Sequence, residues 1–177
     1  MSVIAGRKNY EAPLILLHWL MALLIFGLYA VGLSIDLFDK PLRPPIVNLH
    51  AIFGLLLLSL ILPRILWRVT HPKPAYPASM GRMFQRAAAA GHGVLYLLMI
   101  AVPLVGIPTF LWRGAPLNFG LFQVSSPFEG NRDVAHQFGE VHELLAHALI
   151  AVAVGHVLIA LYHQFVLRDN IIARMKP

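Results

Sequence analysis

The chain has 177 residues, 58% of them hydrophobic and 12% charged, with a mean hydropathy of +0.70. Soluble domains carry about 25% charged residues, so a water-soluble globule and a disordered chain are both excluded. The formal net charge is +6 with nine histidines and no cysteine, which excludes disulfides, iron–sulfur clusters, Cys-bound zinc, thiol catalysis and covalently attached c-type haem.

Four stretches lack Asp, Glu, Lys and Arg for long enough to cross a hydrocarbon core, which takes about 20 apolar residues. The first covers 12–35 and follows Arg7 and Lys8. A signal-peptide core spans only about 7–15 residues before an A-x-A site, so this longer stretch is read as a retained helix. Residues 36–43 form a short connection, where Pro41, Pro44 and Pro45 stop one helix and start the next. The second stretch covers 44–63. Residues 69–86 carry Pro72, Pro74 and Pro77 and read as an extended loop. The third stretch covers 87–112. Pro103 and Pro108 suggest a kink there, whose freed carbonyls neighbours must satisfy. The longest connection, 113–139, contains Gly114, Pro116, Gly120, Pro127 and Gly130. The fourth stretch covers 144–167.

Only helices and closed barrels satisfy their backbone in lipid, and these runs lack the alternation of barrel strands. The prediction is an all-α, integral membrane four-helix bundle in one domain, 1–177. Its helices are expected at about 12–35, 44–67, 87–111 and 139–167.

Lys and Arg set the orientation. Arg7, Lys8, Arg64, Arg68, Lys73, Arg82, Arg86, Arg168, Arg174 and Lys176 fall on one side. Lys40, Arg43, Arg113 and Arg132 fall on the other, with six of the eight acids. Both termini are therefore expected in the cytoplasm. The charge of +6 is mostly sidedness, and no basic stripe is left over for a nucleic acid.

An ionisable side chain inside a spanning helix is costly and points to function. His142 and His156 are 14 residues apart. That is about 40° short of four helical turns and about 21 Å of rise, so both project to one face. Helix four runs from outside to inside. His142 is then level with His50, near the outer start of helix two, and His156 is roughly level with His18, near the inner start of helix one. Two layers of two histidines suit the axial positions of two haem irons. A two-histidine zinc site would lack its other ligands. Gly27, Gly54, Gly106, Gly139 and Gly155 lie near these layers, where they offer room or simply pack helices.

The chain resembles the bacterial cytochrome b561 family over essentially its whole length. The pieces that match are Leu17-His18-Trp19-Leu20, Asn48-Leu49-His50, Gly91 to Leu98 around His92, Val141-His142-Glu143, Gly155-His156, and Arg168-Asp169-Asn170 followed by Met175. The resemblance implies a dihaem, multi-pass protein of the bacterial inner membrane. It implies one haem b between His18 and His156 and the other between His50 and His142, the pairing that depth also suggests. It further implies a superoxide:ubiquinone oxidoreductase, taking electrons from superoxide outside and giving them to ubiquinone near the inner haem. The alternative is an anchor subunit that passes electrons between a redox protein partner and the quinone pool. A haem-free membrane protein would leave the histidine layers unexplained.

His163 lies seven residues after His156, on nearly the same face, and His92 begins helix three on that side. Both are expected quinone contacts, with Arg82, Arg86 and Ser79 as helpers, though the positive-inside rule alone accounts for the arginines. Arg113, Arg132, Lys40 and Arg43 are the candidates for steering superoxide, opposed by the acids on the same side. His71, His136 and His147 are expected non-ligands. His142-Glu143 with His147 is not a zinc-protease helix, because the second histidine comes one residue late. Trp19, Trp67 and Trp112 read as interfacial residues, and Tyr96 and Phe53 as core, with stacking against a porphyrin as the alternative.

Overall fold

The computed structural model describes residues 9–71, 74–76 and 80–176. Arg7, Lys8, Pro72, Lys73, Pro77 and Ser79, used above for sidedness, the loop and the quinone contacts, lie outside the described residues. Four helices are long and apolar enough to cross a membrane. They are α1 (Ala12–Ser34), α2 (Arg43–Thr70), α3 (Arg82–Leu111) and α4 (Arg132–Tyr162). Prolines stand at the first positions of α1 and α2, where the missing N–H costs nothing.

Two helices start earlier than the charge gaps. α3 begins at Arg82 rather than near 87, and α4 at Arg132 rather than near 139. Absence of charge marks only the hydrocarbon depth, and a helix continues into the headgroup layer where charge is tolerated. α4 also has a strong start signal. The Asn131 side chain accepts from the backbone N–H of Asp133 and Val134, and Asp133 sits in the first turn beside the positive end of the helix dipole.

The helices pack in a ring, α1 on α2, α2 on α3, α3 on α4, with a thinner seam between α4 and α1. α2 and α4 thus face each other across the diagonal. Much of the apolar surface points outward. Leu16, Leu23, Leu62, Leu97, Leu144 and Phe165 are all more than 60% exposed, a surface that only lipid would cover. Phe53 is 44% exposed, so it is not part of the apolar core expected for it. The buried core is Met21, Leu57, Ile61, Met99 and Leu149, with Tyr96 at its edge. It sits midway along the bundle.

Outside the helices, β1 (Leu117–Asn118) and β2 (Gln123–Val124) form a two-stranded antiparallel hairpin. Asn48 fastens it to α2, donating to the Asn118 carbonyl and accepting from the Asn118 N–H, both at 2.8 Å. At the opposite end, which carries residues 9–11 and 168–176 and is termed the termini end, the tail crosses under the bundle. Trp19 donates to the Met175 carbonyl at 2.7 Å, Tyr10 N–H to the Arg174 carbonyl at 3.2 Å, and Arg174 to the Ala75 carbonyl at 2.6 Å.

Candidate functional site

The four candidate ligand histidines come together in two cross-helix pairs, one at each depth. His18 on α1 faces His156 on α4 with ring centroids 6.4 Å apart, at the termini end. His50 on α2 faces His142 on α4 across the diagonal, with centroids 6.1 Å apart, at the hairpin end. The rings stand at 72° and 77° to each other. The apolar core lies between the two layers.

Contacts with the other helices fix these rings. His142 donates Nδ1–H to the Val102 carbonyl on α3 at 2.8 Å, which leaves the lone pair on Nε2. To get there the ring lies over Gly106, one turn further along α3. A Cβ at Gly106 would stand 3.0 Å from His142 Cε1 and 3.1 Å from Nδ1. Gly32 on α1 plays a looser version of this part, its added Cβ standing 3.6 Å from His50 Cε1. Sequence reasoning passes over Gly32, since nothing in a greasy helix marks one glycine from another. Nδ1 of His50 is buried and has no hydrogen-bond partner among the described residues.

At the termini end the site holds more than the histidine pair. His92 lies against His156 with centroids 5.2 Å apart, and it donates Nδ1–H to the Ala88 carbonyl at 2.6 Å. Arg64 on α2 is only 9% exposed and donates to Nδ1 of His18 at 2.8 Å. Its Nε donates to the Tyr96 hydroxyl at 3.1 Å. Arg68, one turn on, lies over the same tyrosine ring at 5.6 Å. From sequence, Arg64 counts only towards the sidedness of the loops. It instead faces the bundle interior, at the same 14-residue spacing from His50 that separates His142 from His156.

His163 stands apart from this cluster. Helix α4 loosens there into a single π-helical turn, His163–Leu167. The chain then reverses through two left-handed residues, Arg168 (φ 55°) and Asn170 (φ 57°), which flank Asp169. Left-handed backbone is unusual for arginine and carries strain. Its result is that Asp169 comes back onto the ring, 2.6 Å from Nδ1 of His163, in a mostly buried pair. The other oxygen of Asp169 and Oε1 of Gln164 are buried without partners among the described residues.

The remaining histidines are occupied elsewhere. His71 stacks on Trp67 at 4.1 Å, His136 sits 3.8 Å from Glu140, and His147 donates to the Glu143 carbonyl beside Tyr29. Of the four bases at the hairpin end, Arg43 is tied to Asp36 at 2.9 Å and to two backbone carbonyls.

A family model described as prokaryotic cytochrome b561 matches residues 9–177. The chain belongs to this family. It is 33% identical to cytochrome b561 homolog 2 of Escherichia coli K12 over 179 residues, covering 99% of this chain and 95% of that protein. It is 34% identical to the probable superoxide oxidase CybB of Yersinia pestis, covering 97% of each. A cytochrome b562 of Cereibacter sphaeroides is 31% identical over 96% of each chain. The chain is therefore a multi-pass inner-membrane electron-transfer protein of the cytochrome b561 family, and that family binds haem b.

The histidine pairs suit that cofactor. A metal–imidazole nitrogen bond is about 2.0 Å, and adding about 1.1 Å from nitrogen to ring centre on each side puts two axial imidazoles about 6.2 Å apart. The observed 6.4 and 6.1 Å agree. His92 and His156, at 5.2 Å, are too close for this. Among the described residues no three His, Asp or Glu side chains are placed to hold a bare metal ion, so each pair would supply two donors, and the haem b of this family would bring the rest on its porphyrin. A Cβ built at Gly27, Gly54 or Gly155 meets no atom within 4 Å.

Proposed function

We propose that this cytochrome b561 holds two haem b groups, one between His18 and His156 and one between His50 and His142. It moves electrons from superoxide at the hairpin end, facing the periplasm, to ubiquinone at the termini end, facing the cytoplasm. The observation that carries this reading is the recurrence of one ring spacing in two cross-helix histidine pairs. The excess of Lys and Arg at the termini end supports the orientation. When bound, each haem would be held by the two imidazoles of its pair and would supply a one-electron carrier.

The chain's own residues supply the rest. Val102 fixes the His142 ring so that Nε2 keeps its lone pair for the metal. Two superoxide anions each lose one electron and leave as O₂, while one quinone takes up the two electrons and two protons and leaves as quinol. His163 is the proton donor for that uptake, with His92 beside the His156 ring as the second quinone contact. Asp169 holds Nδ1 of His163 and so leaves Nε2 to exchange protons. Replacing His163 with Gln is expected to lower quinol formation about 10²-fold while haem reduction by superoxide persists, and Asp169→Asn to lower kcat more than it raises KM. Stopped-flow absorbance and quinol assays read the two steps separately. Unchanged quinol formation in both variants places the quinone elsewhere.

A second reading is favoured by the hairpin end itself. It carries six acids against four bases, and Phe119, Leu121 and Phe122 are exposed on the hairpin. That is a poor funnel for an anion and a fair landing for a redox protein partner, which would make the chain a conduit between partner and quinone pool. Mixing quinone-loaded protein with a superoxide source decides between them. With superoxide as donor, a fast phase of haem reduction that depends on superoxide concentration is expected. No fast phase removes superoxide as donor.

A further inference from the structure

Arg64 and His18 cannot both serve their partners in the arrangement described above. A guanidinium only donates, so Nδ1 of His18 accepts from Arg64 at 2.8 Å and the neutral ring carries its proton on Nε2. An axial histidine needs the reverse. Its ligating nitrogen brings a lone pair to the metal, as Nε2 of His142 is free to do while Nδ1–H bonds to Val102. When a metal takes Nε2 of His18, Arg64 must leave Nδ1, unless the ring becomes an imidazolate.

Arg64 then needs an anion. It is 9% exposed at the depth of the His18–His156 pair, and no described carboxylate pairs with it. A buried cation without a counter-charge is strongly unfavourable. Haem b carries two propionate carboxylates, and a planar guanidinium fork matches a carboxylate well. Tyr96 already holds Nε of Arg64 at 3.1 Å, which leaves the terminal nitrogens as the mobile end of the fork. We propose that Arg64 is the propionate anchor of the haem at the termini end, swinging from His18 onto a haem carboxylate as the cofactor enters. This rests on the bis-histidine reading of His18 and His156.

The test uses purified holoprotein carrying Arg64→Gln or Arg64→Lys. Resonance Raman spectra report the propionate-bending band, and a redox titration resolves the two haems. Arg64→Gln is expected to shift the propionate band and lower the midpoint of one haem only, since a nearby cation favours the reduced state. Arg64→Lys keeps the charge without the fork, so its band shifts while its midpoint moves less. Should Arg64→Gln lose that haem altogether, the band in Arg64→Lys decides. Unchanged bands overturn the proposal. So does a change confined to the iron–imidazole signature, the mark of an arginine that stays on His18. A parent protein that lacks two low-spin haems fails the bis-histidine reading itself, before any variant is made.

Discussion

Protein carrying His50→Ala should bind half the haem of the parent, and the haem that remains should be the one in contact with quinone. On the proposed ligation, removing the imidazole takes one haem donor from the His50–His142 pair and leaves His18 and His156 untouched. The two layers are separated by about 21 Å of helix rise and by the core of Met21, Leu57, Ile61, Met99 and Leu149. Sites that far apart with no shared partner respond independently. Added quinol should therefore still reduce the remaining haem, while superoxide-driven reduction disappears. His18→Ala should give the opposite pattern, with superoxide reducing the surviving haem and quinol formation lost. Haem content by the pyridine haemochrome and stopped-flow reduction from each side read both variants. Loss of the quinone-linked haem in His50→Ala would reverse the orientation. Loss of both haems in each variant would mean that the layers fold as one unit.

That experiment depends on the part of the molecule most legible in the sequence. Charge gaps locate four helices because charge is costly at hydrocarbon depth, and the pairing of histidines follows from helix direction and a 14-residue spacing. The same arithmetic applies to Arg64, 14 residues after His50, but an arginine at the edge of a gap is already accounted for by sidedness. Only burial separates it from Arg68 and Arg86. The early start of α4 is signalled by Asn131 and Asp133, which a search for missing charges skips. The contact of His163 with Asp169 has no signal of its own. It needs a π-helical turn and two left-handed residues, and six-residue spacing in a regular helix would put the two side chains on different faces. The hairpin is hidden for a similar reason: its fastening to Asn48 joins residues 70 apart in sequence.

Gly106 offers a test of the His50–His142 layer that alters no ligand. Ala at this position is expected to weaken haem binding there about ten- to hundredfold, and Val to abolish it. The added Cβ would stand 3.0 Å from Cε1 of His142, closer than carbon atoms sit without displacement. α3 and α4 form the most extensive contact in the bundle, so the helices cannot separate cheaply. The ring must move instead, by a few tenths of an ångström, and that movement strains the 2.8 Å bond to the Val102 carbonyl, which on the proposed ligation fixes which nitrogen meets the metal. Overpacking of this kind costs about 1–3 kcal/mol, and each 1.4 kcal/mol is tenfold in affinity. Gly139→Ala is the control on the facing helix. Its Cβ would meet Thr109 Cγ2 at an ordinary 3.7 Å, and replacing a mid-helix glycine by alanine favours the helix by up to about 1 kcal/mol. Haem titration into the two variants should separate them cleanly, Gly139→Ala binding as the parent does. Equal binding in Gly106→Ala would mean that the His142 ring does not lie over Gly106 when the haem is in place, and the donation to Val102 would lose its role in setting the axial ligand.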